Sequence, residues 1–363
     1  IVKLALDETT KVTTLQTQDA IKVNTELIRA ELVEVIENNN QAILKSIHKT
    51  LTEAENARVR SLQESEKRQK DIQETMEALS KEIQEMKTTF ITLIALAFTA
   101  SAQLVKLEDA KAVQYKEVSG AKLFLHVFNP EGHKTTDARP AIVFFFGGGW
   151  NGGTPKQFEP HCQYLARRGM VAITAEYRVK SRNKTSPFEC VADGKSAVRF
   201  VRSNAAKLGV DPKRVAAGGG SAGGHVAAAT GNCPELEEPG EDTKISSQPD
   251  ALVLFNPVYD NGPKGYGHSR VQPRWKTISP MHNIRKGAPP PIVFLGTKDD
   301  LIPVATGEEY DRRMKAAGSP SELHLYKDAT HGFFNQGRPG DHYADTVAKM
   351  DAFLVKLGWL QKK

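Results

Sequence analysis

After the short run Arg214–Ala217 the chain reads Gly218-Gly219-Gly220-Ser221-Ala222-Gly223-Gly224-His225 and enters a stretch rich in alanine. The core of this stretch is G-x-S-x-G, with Gly219, Ser221 and Gly223 in place. A serine so flanked fits a sharp turn between a strand and a helix, where neighbouring side chains would collide and the hydroxyl is left exposed. The pattern therefore demands a strand whose carboxyl end meets the amino end of a helix. A phosphate-binding loop would instead need Lys followed by Ser or Thr, which is absent.

The surrounding sequence supplies such strands. From about residue 113, β-rich runs alternate with helical stretches: Val113–Val118, Leu123–Phe128, Ala141–Phe146, Val171–Tyr177, Arg214–Ala217, Ala251–Phe255, Ile292–Leu295 and Glu322–Tyr326. Several are apolar throughout, as strands buried on both faces of a parallel sheet must be. Helices are expected near Pro160–Arg168, Pro187–Leu208, Ala222–Ala229, Thr306–Ala317 and Tyr343–Leu357. The alternation predicts an α/β fold with a mostly parallel central sheet, helices on both faces, and active residues at the carboxyl ends of strands.

Three further loops carry chemistry. Gly147-Gly148-Gly149-Trp150 follows the apolar run ending at Phe146. Acyl transfer develops an oxyanion that needs backbone donors, and the N–H groups of Gly147, Gly148 and Ala222 are the candidates. Either Asp299 or Asp300 can serve as an acid after the strand Ile292–Leu295, and His331 as a base after Glu322–Tyr326. The chain order is then serine, acid, histidine. His225, directly behind Ser221, reads as a packing residue.

Together, Phe145–Trp150, Glu176-Tyr177-Arg178, Gly209–Val215, Gly219–Gly224, Gly296–Asp299 and His331-Gly332-Phe333 resemble the α/β-hydrolase superfamily over residues 113–360. The likeness is to the esterase branch typified by hormone-sensitive lipase and the secreted acetylxylan and feruloyl esterases. It implies Asp299 as the acid, Tyr177, Arg178 and Asp193 as structural residues, and a roomy site that accepts bulky alcohols. It departs at Phe146, where the family carries His.

Residues 1–85 are unlike the rest. They contain no glycine or proline, and hold 12 basic and 16 acidic residues against 37 and 27 afterwards. Apolar residues recur at helical spacing (Ile28, Leu32, Val35, Ile36, Ile43, Ile47, Leu51), and Ile72, Met76, Leu79, Ile83 and Met86 form a heptad seam. This predicts a helical, coiled-coil-like extension able to associate with a second copy. Met86–Ala102 reads as a secretory signal: a basic start, an apolar stretch and Ala100-Ser101-Ala102 for cleavage. If Met86 is the native start, the protein is secreted or periplasmic, and the working unit is residues 103–363, one catalytic domain.

No apolar run reaches the roughly 18 residues of a membrane span, so stable membrane insertion is not expected. Cys162, Cys190 and Cys233 form neither a disulfide scaffold nor a zinc pattern. No metal, cofactor or nucleic-acid partner is expected. The expected activity is that of a serine carboxylesterase working through an acyl-enzyme on acetyl, feruloyl or similar esters of carbohydrates or small molecules. Trp150, Tyr266 and Trp275 are the candidate substrate contacts, and the insertions 232–249 and 260–285 are expected near the site. The rival readings are an arylformamidase-like amide hydrolase, a serine peptidase, and a binding protein assembled by the helical extension.

Overall fold

The computed structural model describes residues 17–29, 41–94, 105–340 and 342–362. The chain divides into two compact units, Ile1–Ser101 and Ala102–Lys363.

In the first unit, residues 17–29 form helix α1, and α2 runs unbroken over 54 residues from Gln41 to Ile94. At 1.5 Å per residue, α2 is about 81 Å long. Nothing in its sequence breaks a helix. Ile72 and Leu79 stand about half exposed. The helical backbone passes through Met86, while residues 95–102, with the expected cleavage site, lie outside the described residues, as do Leu32, Val35 and Ile36.

The second unit runs β1 (Lys111–Val118), β2 (Ala121–Phe128), β3 (Arg139–Phe145), α3 (Glu159–Arg167), β4 (Val171–Ala175), α4 (Lys180–Asn183), α5 (Pro187–Ser203) and α6 (Ala205–Leu208). It continues through β5 (Val210–Gly220), α7 (Ala222–Asn232), β6 (Ala251–Phe255), α8 (Trp275–Ile278), β7 (Pro291–Gly296), α9 (Val304–Ala316), β8 (Glu322–Tyr326) and α10 (His342–Lys356). One eight-stranded sheet has the order β1-β2-β4-β3-β5-β6-β7-β8. β1 and β2 run antiparallel, β2 joins β4 antiparallel, and every later pairing is parallel.

The period of two along each strand divides the core between two faces. On β3, Val143 and Phe145 join a cluster with Val198 of α5, Val226 of α7 and Met314 of α9. Ile142 and Phe144 point the other way, to Leu165 of α3 and Met350 of α10. The expected helix 187–208 is in fact two: Asn204 leaves helical geometry at φ −109°, ψ 18° and separates α5 from α6. β5 begins earlier than expected, at Val210, and its register with β3 shifts between Arg139 and Ala141, which accommodates Pro212.

A buried ionic cluster ties the insertion 232–249 to α5 and the β1 edge. Lys116 Nζ lies 2.6 Å from both Asp193 and Glu238, and Arg178 lies 2.8 and 3.0 Å from the same carboxylates. Lys195 pairs with Glu237 at 2.9 Å, and Arg199 with Glu237 and Glu241. The three cysteines are buried free thiols.

Candidate active site

β5 delivers Ser221 at the amino end of α7, with φ 55° and ψ −120°. Two residues to either side of it only glycine fits. A Cβ on Gly223 would lie 2.0 Å from Phe145 O, and one on Gly219 would lie 2.5 Å from Gly223 O. The sharp turn thus brings the elbow against the end of β3, and the glycines permit that approach.

The turns after β7 and β8 bring two more groups to Ser221. His331 Nε2 lies 2.8 Å from Ser221 Oγ, and His331 Nδ1 lies 2.8 Å from Asp299 Oδ2. Asp299 Oδ1 accepts the N–H groups of Leu301 and Ile302, both at 2.9 Å, and its side chain is shielded from solvent. Asp300 is exposed and takes no part. The buried carboxylate fixes an N–H at Nδ1, which leaves Nε2 to accept the serine proton.

Two backbone N–H groups face the site without helical or loop acceptors among the described residues, one at the start of α7 and one in the loop after β3. Ala222 opens α7, where the first N–H groups have no helical partner. Gly148 N–H also has no acceptor among the described residues. Gly147 differs from expectation: its N–H is buried and donates to Gln157 Oε1 at 2.6 Å. Gln157 Nε2 donates in turn to Asn335 Oδ1 at 2.9 Å, and Asn335 Nδ2 to Gly332 O at 2.8 Å. A polar chain therefore runs from the glycine loop to the loop of His331. Phe146 is held without a histidine's polar side chain. Its ring stacks on Tyr177 at 4.2 Å and its carbonyl accepts the Tyr177 hydroxyl at 2.5 Å.

Above Ser221 opens a cavity of about 610 Å³, bounded by Gly147–Gly149, Tyr266, Leu301, Phe334 and Arg338. Tyr266 is where a substrate contact was expected. The other two aromatic candidates are not on this wall. Trp150 is 1% exposed and packs edge-on to His225 at 5.0 Å. Trp275 is edge-on to His282 at 4.8 Å and packs with the cluster of Val191 and Cys233. Both side chains fold inward as anchors of their loops. Of the two insertions, 260–285 reaches the cavity through Tyr266, whereas 232–249 supplies none of its wall.

Three site residues escaped the sequence reading: Gln157, Asn335 and Asn256. Asn256 follows β6, sits at φ 34°, accepts the Gly332 N–H at 2.9 Å and lies 3.5 Å from His331 Nε2. Its place at the carboxyl end of a strand was the available signal. His225 does more than pack: its Nε2 lies 3.0 Å from both Asn261 Oδ1 and Ile278 O, pinning the insertion 260–285 to α7. Burial holds its pKa down at about 4. Among the described residues no group of three or more His, Cys, Asp or Glu is placed to hold a metal.

A BD-FAE family model matches residues 125–257, and a dienelactone hydrolase family model matches 258–363. Thermogutta terrifontis esterase 2 in its apo form is 47% identical, covering 72% of this chain and 99% of its own, with a TM-score of 0.69. Structures of that esterase also exist phosphoramylated by tabun and with bound propionate. Esterase LipC of Mycobacterium tuberculosis is 29% identical over 224 residues, covering 54% of each chain. The acetylxylan esterase of Xylanibacter ruminicola is 26% identical over 259 residues, covering 66% of this chain and 49% of its own. The chain spans about half the length of the curated relatives it matches.

Proposed function

From a chain that belongs to the esterases of the α/β-hydrolase superfamily, we infer hydrolysis of carboxylic esters through an acyl-enzyme on Ser221. The observation that carries this reading is the His331 ring, bridging Ser221 Oγ and Asp299 Oδ2 at 2.8 Å on either side. Ser221 Oγ attacks the ester carbonyl as its proton passes to His331 Nε2. The carbonyl oxygen becomes an anion facing the N–H groups of Gly148 and Ala222. Collapse breaks the ester C–O bond, and the alcohol leaves with the proton from His331. Water, deprotonated by the same nitrogen, then releases the acid. Asp299 stabilises the imidazolium in both halves without itself taking the proton.

The preferred esters are those of short or aromatic acids, with the alcohol a carbohydrate or another small molecule. The bound propionate of the Thermogutta esterase and the acetylxylan esterase relative support this size class. We also propose export directed by residues 86–102, and pairing of two copies through residues 1–85. N-terminal sequencing of the secreted protein and light scattering with and without residues 1–85 test these two points.

The decisive experiment pairs turnover of p-nitrophenyl acetate with labelling by an organophosphate. Hydrolysis and a single adduct on Ser221, both lost in Ser221→Ala, are expected. Turnover retained in Ser221→Ala overturns the assignment.

A further inference from the structure

We propose that a second cavity, adjoining the one over Ser221, binds the anionic group of an acidic ester, such as the carboxylate of an O-acetylated uronic acid saccharide. This rests on the esterase reading and names its substrate class. The cavity, of about 460 Å³, shares Gly149 with the cavity over the nucleophile. Lys180, Lys184 and Arg270 line it. None of these three forms an ion pair with a carboxylate among the described residues. Three cations gathered in one concavity repel one another, and an anion placed among them relieves that repulsion.

The Lys180 backbone and the Arg270 guanidinium are tied to the glycine loop. Lys180 N–H donates to Trp150 O at 3.0 Å and Ser181 N–H to Asn151 O at 2.9 Å, clipping α4 to the glycine loop. Arg270 Nη1 donates to Gly149 O at 2.7 Å, and its guanidinium lies over the rings of Trp150 and Tyr266 at 5.8 and 5.7 Å. An anion held here would lie next to the glycine loop that also borders the cavity over Ser221.

Two details make this more than a patch of surface charge. Lys184 occupies the left-handed region at φ 59°, where glycine or asparagine would cost less. The cavity is also lined by Thr185, whose hydroxyl has no protein partner, and by Ser186 and Pro187, at the start of α5. The nearby carboxylate, Glu189, is turned to the helix start, where it accepts the Ser186 amide at 2.8 Å and hydroxyl at 2.5 Å.

The test uses full-length Ser221→Ala protein, which holds esters intact. Calorimetry measures binding of O-acetylated methyl glucuronide and of the matched O-acetylated methyl glucoside. The acidic ester should bind about tenfold more tightly, and 0.5 M NaCl or the added pair Lys180→Ala and Lys184→Ala should erase the difference. In the Ser221 protein that lysine pair should leave p-nitrophenyl acetate turnover within about twofold of the parent, since a small neutral ester does not reach the second cavity. Equal binding of the two saccharides, or a preference that survives loss of both lysines, overturns the proposal. Failure of p-nitrophenyl acetate turnover in the parent would instead overturn the esterase reading, because the binding measurement needs no chemistry.

Discussion

Gln157 accepts the N–H of Gly147 at 2.6 Å, which takes one of the three expected oxyanion donors out of the cavity and makes it an anchor. The remaining donors, on Gly148 and Ala222, then depend on that anchor for their aim. Gln157→Ala should lower kcat about tenfold with little change in KM, the cost of about one hydrogen bond felt mainly in the transition state. Gln157→Glu should fall further, since it sets a carboxylate beside the developing oxyanion and loses the donor to Asn335. Steady-state kinetics on p-nitrophenyl acetate decide; an unchanged kcat in Gln157→Ala removes the residue from the machinery.

Asp299 and Asp300 are adjacent and chemically alike, yet only the first reaches His331. Asp299→Asn should cut kcat by roughly 10³ to 10⁴, because the amide can hold the wrong imidazole tautomer. Asp300→Asn should stay within about twofold of the parent, as expected for an exposed side chain outside the reaction.

His161 lies inside a cage of Phe158, Phe255 and Tyr343, and neither ring nitrogen has a partner. Burial depresses its pKa to about 3, so the unfolded chain takes up the proton first as pH falls. Stability is therefore full above the ordinary histidine pKa of 6.5 and declines below it. From pH 7 to 5 the loss through this one group is about 2 kcal/mol. His225, held at about 4, adds a second slope of the same sign. Thermal melts of His161→Phe should show a higher Tm and a flatter acid limb; an acid limb identical to the parent's would contradict this.

Asp193 is fully buried and serves Lys116 and Arg178 together. It also accepts the Arg178 backbone N–H at 2.9 Å. Asp193→Ala should cost about 3–5 kcal/mol, because it strands two buried cations. Urea denaturation gives the number, and a midpoint shift equivalent to less than about 1 kcal/mol would show that Glu238 alone suffices.

The strands, most of the helices and the Ser221–His331–Asp299 set were legible because each rests on a local pattern: an apolar run, a glycine-flanked serine, a polar turn after a strand. The rest was decided by contacts between distant segments. Gln157 and Asn335 are unremarkable polar residues in short turns, and only the folded sheet brings positions 178 residues apart to 2.9 Å. The donor role expected of Gly147 was likewise lost to a side chain ten residues away. Trp150 follows the glycines directly, and nothing local tells that its ring turns inward onto His225 rather than toward the cavity.

Ser221, His331, Asp299 and Asn256 all stand at the carboxyl-end side of the sheet, after β5, β8, β7 and β6. The segment 260–285 adds Tyr266 and Arg270 from outside that scaffold, fastened by bonds to His225, the glycine loop, Asn232 and Arg313 and by burial of Ile278 and Met281. This part of the cavity wall is thus carried by a segment other than the strands that position Ser221, His331 and Asp299. Exchanging this segment for another of equal span, with Asn261 and the carbonyl at position 278 kept for His225, should remake that part of the wall while Ser221, His331 and Asp299 keep their places.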